Sequence, residues 1–303
     1  VKEAERPARS RLSADERRLK KQQRRDRQRL ANAGRANKMR TLRMAREKQL
    51  SPAAPRAQKV LSKPEYHVGC SGWFYWHLRD TFYKSLPTRD WFQTYASKFR
   101  TVEINASFYS WPTEANVKSW LRQAGRKKFI YTVKVCELIT HVKRFTGAKT
   151  LIRDFGYIAD LLCPHMGCFL FQLPPSFRYS PARLKRILEQ LDPLRRNVVE
   201  FRHKSWWNDD VYKAFRKAGA IFCSCSGPRL PDTLVKSSDE LYIRFHGLKR
   251  WYRHDYTKAE LSEWVERIHQ SGAKRVWIYF NNDNDGYAVK NAREMIRLLK
   301  RKR

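Results

Sequence analysis

From residue 66 onward, short apolar runs alternate with amphipathic stretches of helix length, and the alternation repeats through the chain. The strand candidates are 66–70, 101–106, 129–135, 168–173, 198–202, 220–225, 241–246 and 276–281. Helix-length stretches follow most of them, at 89–99, 114–123, 149–162, 181–191, 209–218, 258–270 and 288–300. The stretch after the sixth run, Ser226 to Asp232, is rich in proline and reads as a loop. Strands that are apolar throughout and separated by helices predict a parallel sheet covered on its outer face. Eight such units over about 240 residues match the size of a TIM barrel. The expected fold class is therefore α/β: a (β/α)8 TIM-like barrel over residues 61–303, preceded by a basic, partly helical extension over residues 1–60.

The extension stands apart by composition. It carries 20 basic and 6 acidic residues and none of the chain's 40 aromatics. Without aromatics it cannot build a core of its own. Ser13 and Glu16 have the spacing of a capping box, and the residues after them are strong helix formers. Leu19, Leu30 and Leu42 do not form a full apolar stripe, so this helix is solvated or held by a partner. Gly34 is expected to interrupt it, and Ser51 to Pro55 read as a linker.

Charge narrows the function. The whole chain has 64 Lys and Arg against 29 Asp and Glu, a formal net charge of +35. So large an excess repels itself unless a polyanion neutralises it, and nucleic acid is the usual one. A membrane surface fits less well, because the basic residues do not face a clean apolar stripe. No run approaches the roughly 18 apolar residues of a membrane span. The expected nucleic-acid contacts are Arg17, Arg18, Lys20, Lys21, Arg24, Arg25, Arg27, Arg29, Arg35, Lys38, Arg40, Arg43 and Arg46. The six cysteines are dispersed, which predicts reduced thiols in an intracellular, reducing compartment. The arm is Arg-rich like a transit peptide, but its acidic residues argue against an intact one. The mitochondrial matrix or another organelle is the expected setting for a processed form, and the cytoplasm otherwise.

In a TIM barrel, chemistry sits at the C-terminal strand ends. Here those ends are polar. Glu103 with Asn105, Glu200 with Arg202, and Arg244 with His246 each share a strand face at a spacing of two. Two readings compete: a ring of ion pairs that plugs the barrel, or an anion pocket. In the second, Lys134, Arg202, Arg244 and His246 grip a phosphate, with Glu103, Glu200 or His246 as acid or base. Glu200 is expected to pair with Arg202 or Arg244, leaving Lys134 and His246 near a cavity. Aromatics crowd the loops beyond, as at Trp73 to Trp76, Phe108 to Trp111, Trp206-Trp207 and Trp251-Tyr252. They can cover the barrel mouth or stack on unpaired bases. Cys163, His165 and Cys168, and Cys223 with Cys225, lack the usual zinc spacing, so no metal and no other cofactor is expected.

The segments VGCSGWFY, VEINASFYSWP, FQLPPSF, VEFRHKSWW, YIRFHG and YFNNDNDGYAVKNA, in this order, resemble the YecE-like family, domain of unknown function 72. The resemblance spans roughly residues 66–300. It implies a TIM barrel similar to those of sugar isomerases and endonuclease-IV-type repair enzymes. It also implies a pocket of Glu103, Asn105, Tyr109, Lys134, Gln172, Glu200, Arg202, Arg244, His246, Asn281 and Asn282. Members of the family commonly carry an Asp at the end of the sixth strand, where this chain has Ser224 and Cys225. The basic arm lies outside the family domain. Together these features lead to the expectation of a non-catalytic RNA-binding protein, a component or assembly factor of a ribosome-like ribonucleoprotein. Its expected partners are RNA, structured or ribosomal, and other subunits of such a particle, with no membrane. The alternatives are a hydrolase of phosphodiester or phosphate substrates at the barrel mouth, and a small-molecule pocket with an unrelated basic tail.

Overall fold

The structure is a computed structural model that describes residues 13–49, 61–125 and 128–301. The linker expected at Ser51 to Pro55 lies outside these residues. Eight parallel strands form the barrel: β1 (Glu65–Cys70), β2 (Thr101–Ile104), β3 (Ile130–Lys134), β4 (Met166–Gln172), β5 (Asn197–Glu200), β6 (Ile221–Ser226), β7 (Glu240–Phe245) and β8 (Arg275–Phe280). All eight fall where the apolar runs place them, within about two residues at each end. The outer helices are α2 (Trp91–Lys98), α3 (Ala106–Tyr109), α4 (Glu114–Ala124), α5 (Lys149–Leu162), α6 (Pro181–Gln190), α7 (Asp209–Ala218), α8 (Lys258–Gln270) and α9 (Tyr287–Arg301). No helix lies between β6 and β7.

Local chemistry sets the helix starts. Thr113 and Thr257 close capping boxes with Asn116 and Glu260. The Ser180 hydroxyl accepts from Arg183 N ahead of Pro181, and the Asn208 side chain accepts from Val211 N. Each cap satisfies amides that the first turn leaves unpaired. The second strand is shorter than its apolar run. Asn105 turns into the helical region (φ −87°, ψ −24°), and the Ser107 hydroxyl bonds the carbonyls of Ile104 and Lys134.

The barrel is two four-stranded halves. Strand β8 pairs with β1 and β7 over six residues each, and β7 pairs with β6 over four. Strands β2 to β5 form the other half. One joint between the halves, β5 to β6, has only two register pairs. At the other, β1 and β2 form no ladder. There the Tyr95 hydroxyl stands in: it accepts from Cys70 N at 2.8 Å and donates to Thr101 O at 2.9 Å. Gly69 makes this approach possible, since a Cβ there would lie 2.3 Å from Thr101 O.

The interior is layered. At the floor, Glu240 accepts from Arg196, Arg275 and Trp277 at 3.0, 2.7 and 2.8 Å. Above it, the Tyr279 hydroxyl meets Thr101 Oγ1 at 2.7 Å and Thr132 Oγ1 at 2.9 Å, among Cys168, Leu170, Val198 and Cys223. The top layer is the charged set described below.

The extension forms one helix, α1 (Ala14–Gln49), which starts at the expected capping box: Glu16 N donates to Ser13 Oγ and Ser13 N to Glu16 Oε2. Gly34 does not interrupt it. A lone exposed glycine costs only about 1 kcal/mol, and the docked turns after it outweigh that. Asn32, Ala36, Met39 and Arg43 bury against the barrel, chiefly on α5. Asn32 is fully buried. Its Nδ2 donates to Tyr109 O at 3.0 Å, and its Oδ1 accepts from Trp111 N at 2.9 Å. Asp154 of α5, also fully buried, receives Arg40 Nε and Arg43 Nε, each at 3.0 Å. Among the described residues, no helix is long and apolar enough to cross a membrane.

Candidate functional site

Parallel strands bring all their C-terminal ends to one side, and the charges expected there do converge. Arg244, from β7, is fully buried at the centre. Its Nη1 donates to Glu200 Oε2 at 2.6 Å, and its Nη2 to Glu103 Oε1. Glu103 also accepts from Ser71 Oγ at 2.7 Å and from the Tyr242 hydroxyl. Glu200 is shared further: Arg202 Nε pairs with Oε1, and His246 Nε2 lies 3.1 Å from the same oxygen. Burial works to raise Glu200, but Arg202, Arg244 and His246 outweigh it and hold the carboxyl well below the usual carboxylate range. Glu103 thus accepts from Ser71, Tyr242 and Arg244, Glu200 is held by Arg202 and Arg244, and both carboxylates are fully buried.

His246 is sealed rather than left at a cavity. It is fully buried, with Asn281 Nδ2 3.2 Å from Nδ1, and Arg202 Nη2 and Glu200 around Nε2. Burial, then Arg202 and Arg244, keep this imidazole well below its ordinary value and hence neutral.

Lys134, at the end of β3, differs. Its side chain is 8% exposed, its Nζ lies 4.2 Å over the Phe108 ring, and it has no hydrogen-bond partner among the described residues. Burial first, then Arg244 and Arg202, push it down to about 7, against the pull of Glu200 and Glu103. His141, edge-on to Phe108, is pushed down to about 4 by burial, Lys134, Arg144 and Arg202. The Arg202 guanidinium lies 4.5 Å over the ring of Trp251, from the loop after β7.

The remaining expected pocket residues divide. Asn105 donates to Ser71 O at 3.0 Å and stays at the mouth with its Oδ1 buried and unpartnered among the described residues. Gln172 Nε2 donates to Leu173 O. Tyr109 points outward, 64% exposed. Asn282 leaves the network: its amide donates to His254 O and Asn291 Oδ1, both at 2.7 Å, tying the β7–α8 loop to α9. Sequence reasoning missed Tyr242, although it shares strand parity with Arg244 and His246. It also missed Asp154 and Asn32, whose partners lie far along the chain.

The donor set for a metal is partial. Glu200, Cys225 and His246 each bring one ligand atom within 4.8 Å of the others. Two guanidiniums already occupy that carboxylate, so a cation there would meet like charge at close range. Cys225 takes the inward position at the end of β6, while the Ser224 hydroxyl accepts from Val235 N.

The basic residues of α1 also divide. Arg17, Arg18, Lys20, Lys21, Arg24, Arg25, Arg27 and Arg29 stand exposed on the outer half, with Lys38 exposed further in. Arg40 and Arg43 instead hold Asp154, Arg35 bonds Ser110 Oγ, and Arg46 lies 6.0 Å over Tyr157. These four serve docking, because a buried carboxylate on α5 and the α3 turn present acceptors to that face.

The family model described as "Protein of unknown function DUF72" matches residues 67–303. The UPF0759 protein YunF of Bacillus subtilis (strain 168) is 27% identical over 270 residues, covering 77% of this chain and 94% of that protein. The crystal structure of a DUF72 family protein from Thermotoga maritima MSB8 matches with a TM-score of 0.71 at 26% identity, over 78% of this chain and 99% of that one. A DUF72 family protein from Enterococcus faecalis V583 matches in fold, with a TM-score of 0.67 at 19% identity, over 78% and 95% of the two chains. The family match and the shared barrel agree: the chain belongs to the DUF72 family of proteins of unknown function.

Proposed function

We propose that this protein is a non-catalytic RNA-binding component or assembly factor of a ribosome-like ribonucleoprotein, attached to RNA by the outer half of α1. The observation that carries this is the division of that helix. From Ala14 to Ala31 every residue but Gln28 is exposed, and the stretch holds eight Lys and Arg against three acids. At 100° per residue the eight cations occupy an arc of roughly 200°. At 1.5 Å per residue this half reaches about 27 Å beyond the docked turns. A rigid rod presenting cations over such an arc suits a groove or junction of folded RNA, where phosphates approach from more than one side.

The burial of Glu103 and Glu200 among their donors supports the non-catalytic part, since a general base needs a lone pair facing its substrate. The test replaces Arg17, Arg18, Lys20, Lys21, Arg24 and Arg25 with Gln in the full chain and measures binding to structured RNA across salt concentrations. Weaker binding with a flatter salt dependence is expected, by up to about 0.7 in slope for each single-strand phosphate no longer neutralised. An unchanged slope refutes the proposal, and a fall in binding to anionic vesicles but not to RNA replaces it with a membrane role. RNA hydrolysis abolished by Glu103→Gln would put the hydrolase reading in its place.

A further inference from the structure

Five charged groups meet at the barrel mouth: Lys134, Arg202 and Arg244 against Glu103 and Glu200. The two histidines beside them are held neutral. The carboxylates are taken up by the guanidiniums, by Ser71 and by Tyr242. The set therefore carries one positive charge in excess, and it sits on the group that no carboxylate touches. A nearly buried ammonium without an acceptor is costly. Among the described residues, what faces this one is the Phe108 ring.

The neighbours of Lys134 point the same way. In the β2–β3 register Ile104 faces Val133, so Asn105 and Lys134 each follow the last paired residues of that ladder. Asn105 leaves its Oδ1 buried and unpartnered among the described residues. Arg202, within electrostatic reach of Lys134, is held over Trp251 and against Glu200 with its side chain 8% exposed. A free ammonium, an oriented guanidinium and an unpartnered acceptor, at the C-terminal ends of β3, β5 and β2, describe a receptor for an oxyanion that carries a hydroxyl.

We infer that the barrel mouth binds a phosphate group, with Lys134 as its principal ligand, Arg202 as a second donor and Asn105 receiving an adjoining hydroxyl. The phosphate belongs to a small phosphorylated molecule or to the terminus of a nucleic acid. The site stands independently of the RNA-binding reading, because it uses none of the residues of α1. Its chemistry carries a signature. Lys134 gives up its proton near pH 7 when alone, and an anion beside it favours the charged form. Binding above pH 7 therefore takes up a proton, and affinity falls as pH rises toward 9.

The test uses the full chain. Inorganic phosphate is titrated calorimetrically at pH 8 in buffers of different ionisation enthalpy, and 5′-phosphorylated and 5′-hydroxyl oligoribonucleotides are compared. The expected result is saturable binding with proton uptake, weakened at least about tenfold in Lys134→Met. Preference for the 5′-phosphorylated oligonucleotide, abolished in that variant, identifies a nucleic-acid end. Binding of inorganic phosphate with no such preference identifies a small molecule. In the unmodified protein, the Lys134 Nζ resonance should move toward the charged form on adding phosphate, which keeps the test valid if the variant misfolds. Absence of saturable binding, equal binding by Lys134→Met, or an unmoved resonance overturns the inference. The glutamine variant of α1 should bind inorganic phosphate normally, so loss of RNA binding and loss of this site are distinguishable.

Discussion

Replacing Asp154 with Asn should release the inner half of α1 from the barrel and let its backbone hydrogen bonds open more often. Asp154 is fully buried and receives two arginines of α1. The Arg43 side chain is 10% exposed, so most of the loss falls on it. Breaking a buried pair by removing one partner costs about 3–5 kcal/mol. Two facts move the figure toward the low end. Glu47 still pairs with Arg43 at 2.7 Å, and Arg40 is 41% exposed, where an ion pair contributes at most about 1 kcal/mol. About 3 kcal/mol remains, roughly a 150-fold shift toward the undocked helix. Hydrogen exchange of backbone amides reads it directly. Protection over residues 36–49 should fall by about two orders of magnitude, while residues 14–31, which stand clear of the barrel, change little. Arg40→Gln is the control and should change protection less than about fivefold. Unchanged protection in Asp154→Asn, or equal effects of the two substitutions, would refute the assignment of docking energy to the Arg43 pair.

Lys134→Met should stabilise the protein below pH 7. With its folded-state value lowered to about 7 from 10.5, Lys134 binds fewer protons in the native than in the unfolded chain between those limits. Its penalty is complete below pH 7 and gone above about 10.5, so the gain in urea denaturation should be large at pH 6 and vanish near pH 10.5. A gain independent of pH contradicts this. Tyr95→Phe should cost about 2–4 kcal/mol, because Cys70 N–H and Thr101 C=O both lose their partner in the interior. A midpoint shift under 1 kcal/mol would show that the two strands close up without the hydroxyl. Gly69→Ala should destabilise by about 3 kcal/mol or more, since its Cβ would meet Thr101 O, a backbone atom that cannot swing aside; a tolerated alanine would show that β1 can shift.

The barrel was legible because a strand buried on both faces writes itself as a continuous apolar run, and eight of them leave little choice of topology. The convergence of Glu103, Lys134, Glu200 and Arg244 followed from strand parity alone. Their division of labour did not. That His246 is sealed while Lys134 has no carboxylate against it depends on Asn281, Trp251 and Phe108, which arrive from the segments after β8, β7 and β2. The docked half of α1 was hidden for a similar reason. Its buried face is Asn32, Ala36, Met39 and Arg43, a stripe too polar to register as apolar. Only Asp154, Tyr109 and Trp111, more than 75 residues away, make it a binding face. Asp154 is the one charged residue on the buried face of α5, and that is visible only once the face is known.

The two half-barrels give the interior polar groups a mechanical meaning. Arg244 and Tyr242 belong to the half built from β6, β7, β8 and β1; Glu103 and Glu200, which they grip, belong to the other. Tyr279 reaches across in the same way to Thr101 and Thr132, and Glu240 to Arg196. Every layer from floor to mouth is thus a rivet driven through both shells, set where the ladders between them are two residues long or missing. Neither shell owns a complete mouth: one supplies the acids and Lys134, the other the arginine that organises them. A small slip of one shell against the other would leave both folded yet dismantle the constellation at the top, so the geometry around Lys134 works as a gauge of how the two shells are seated.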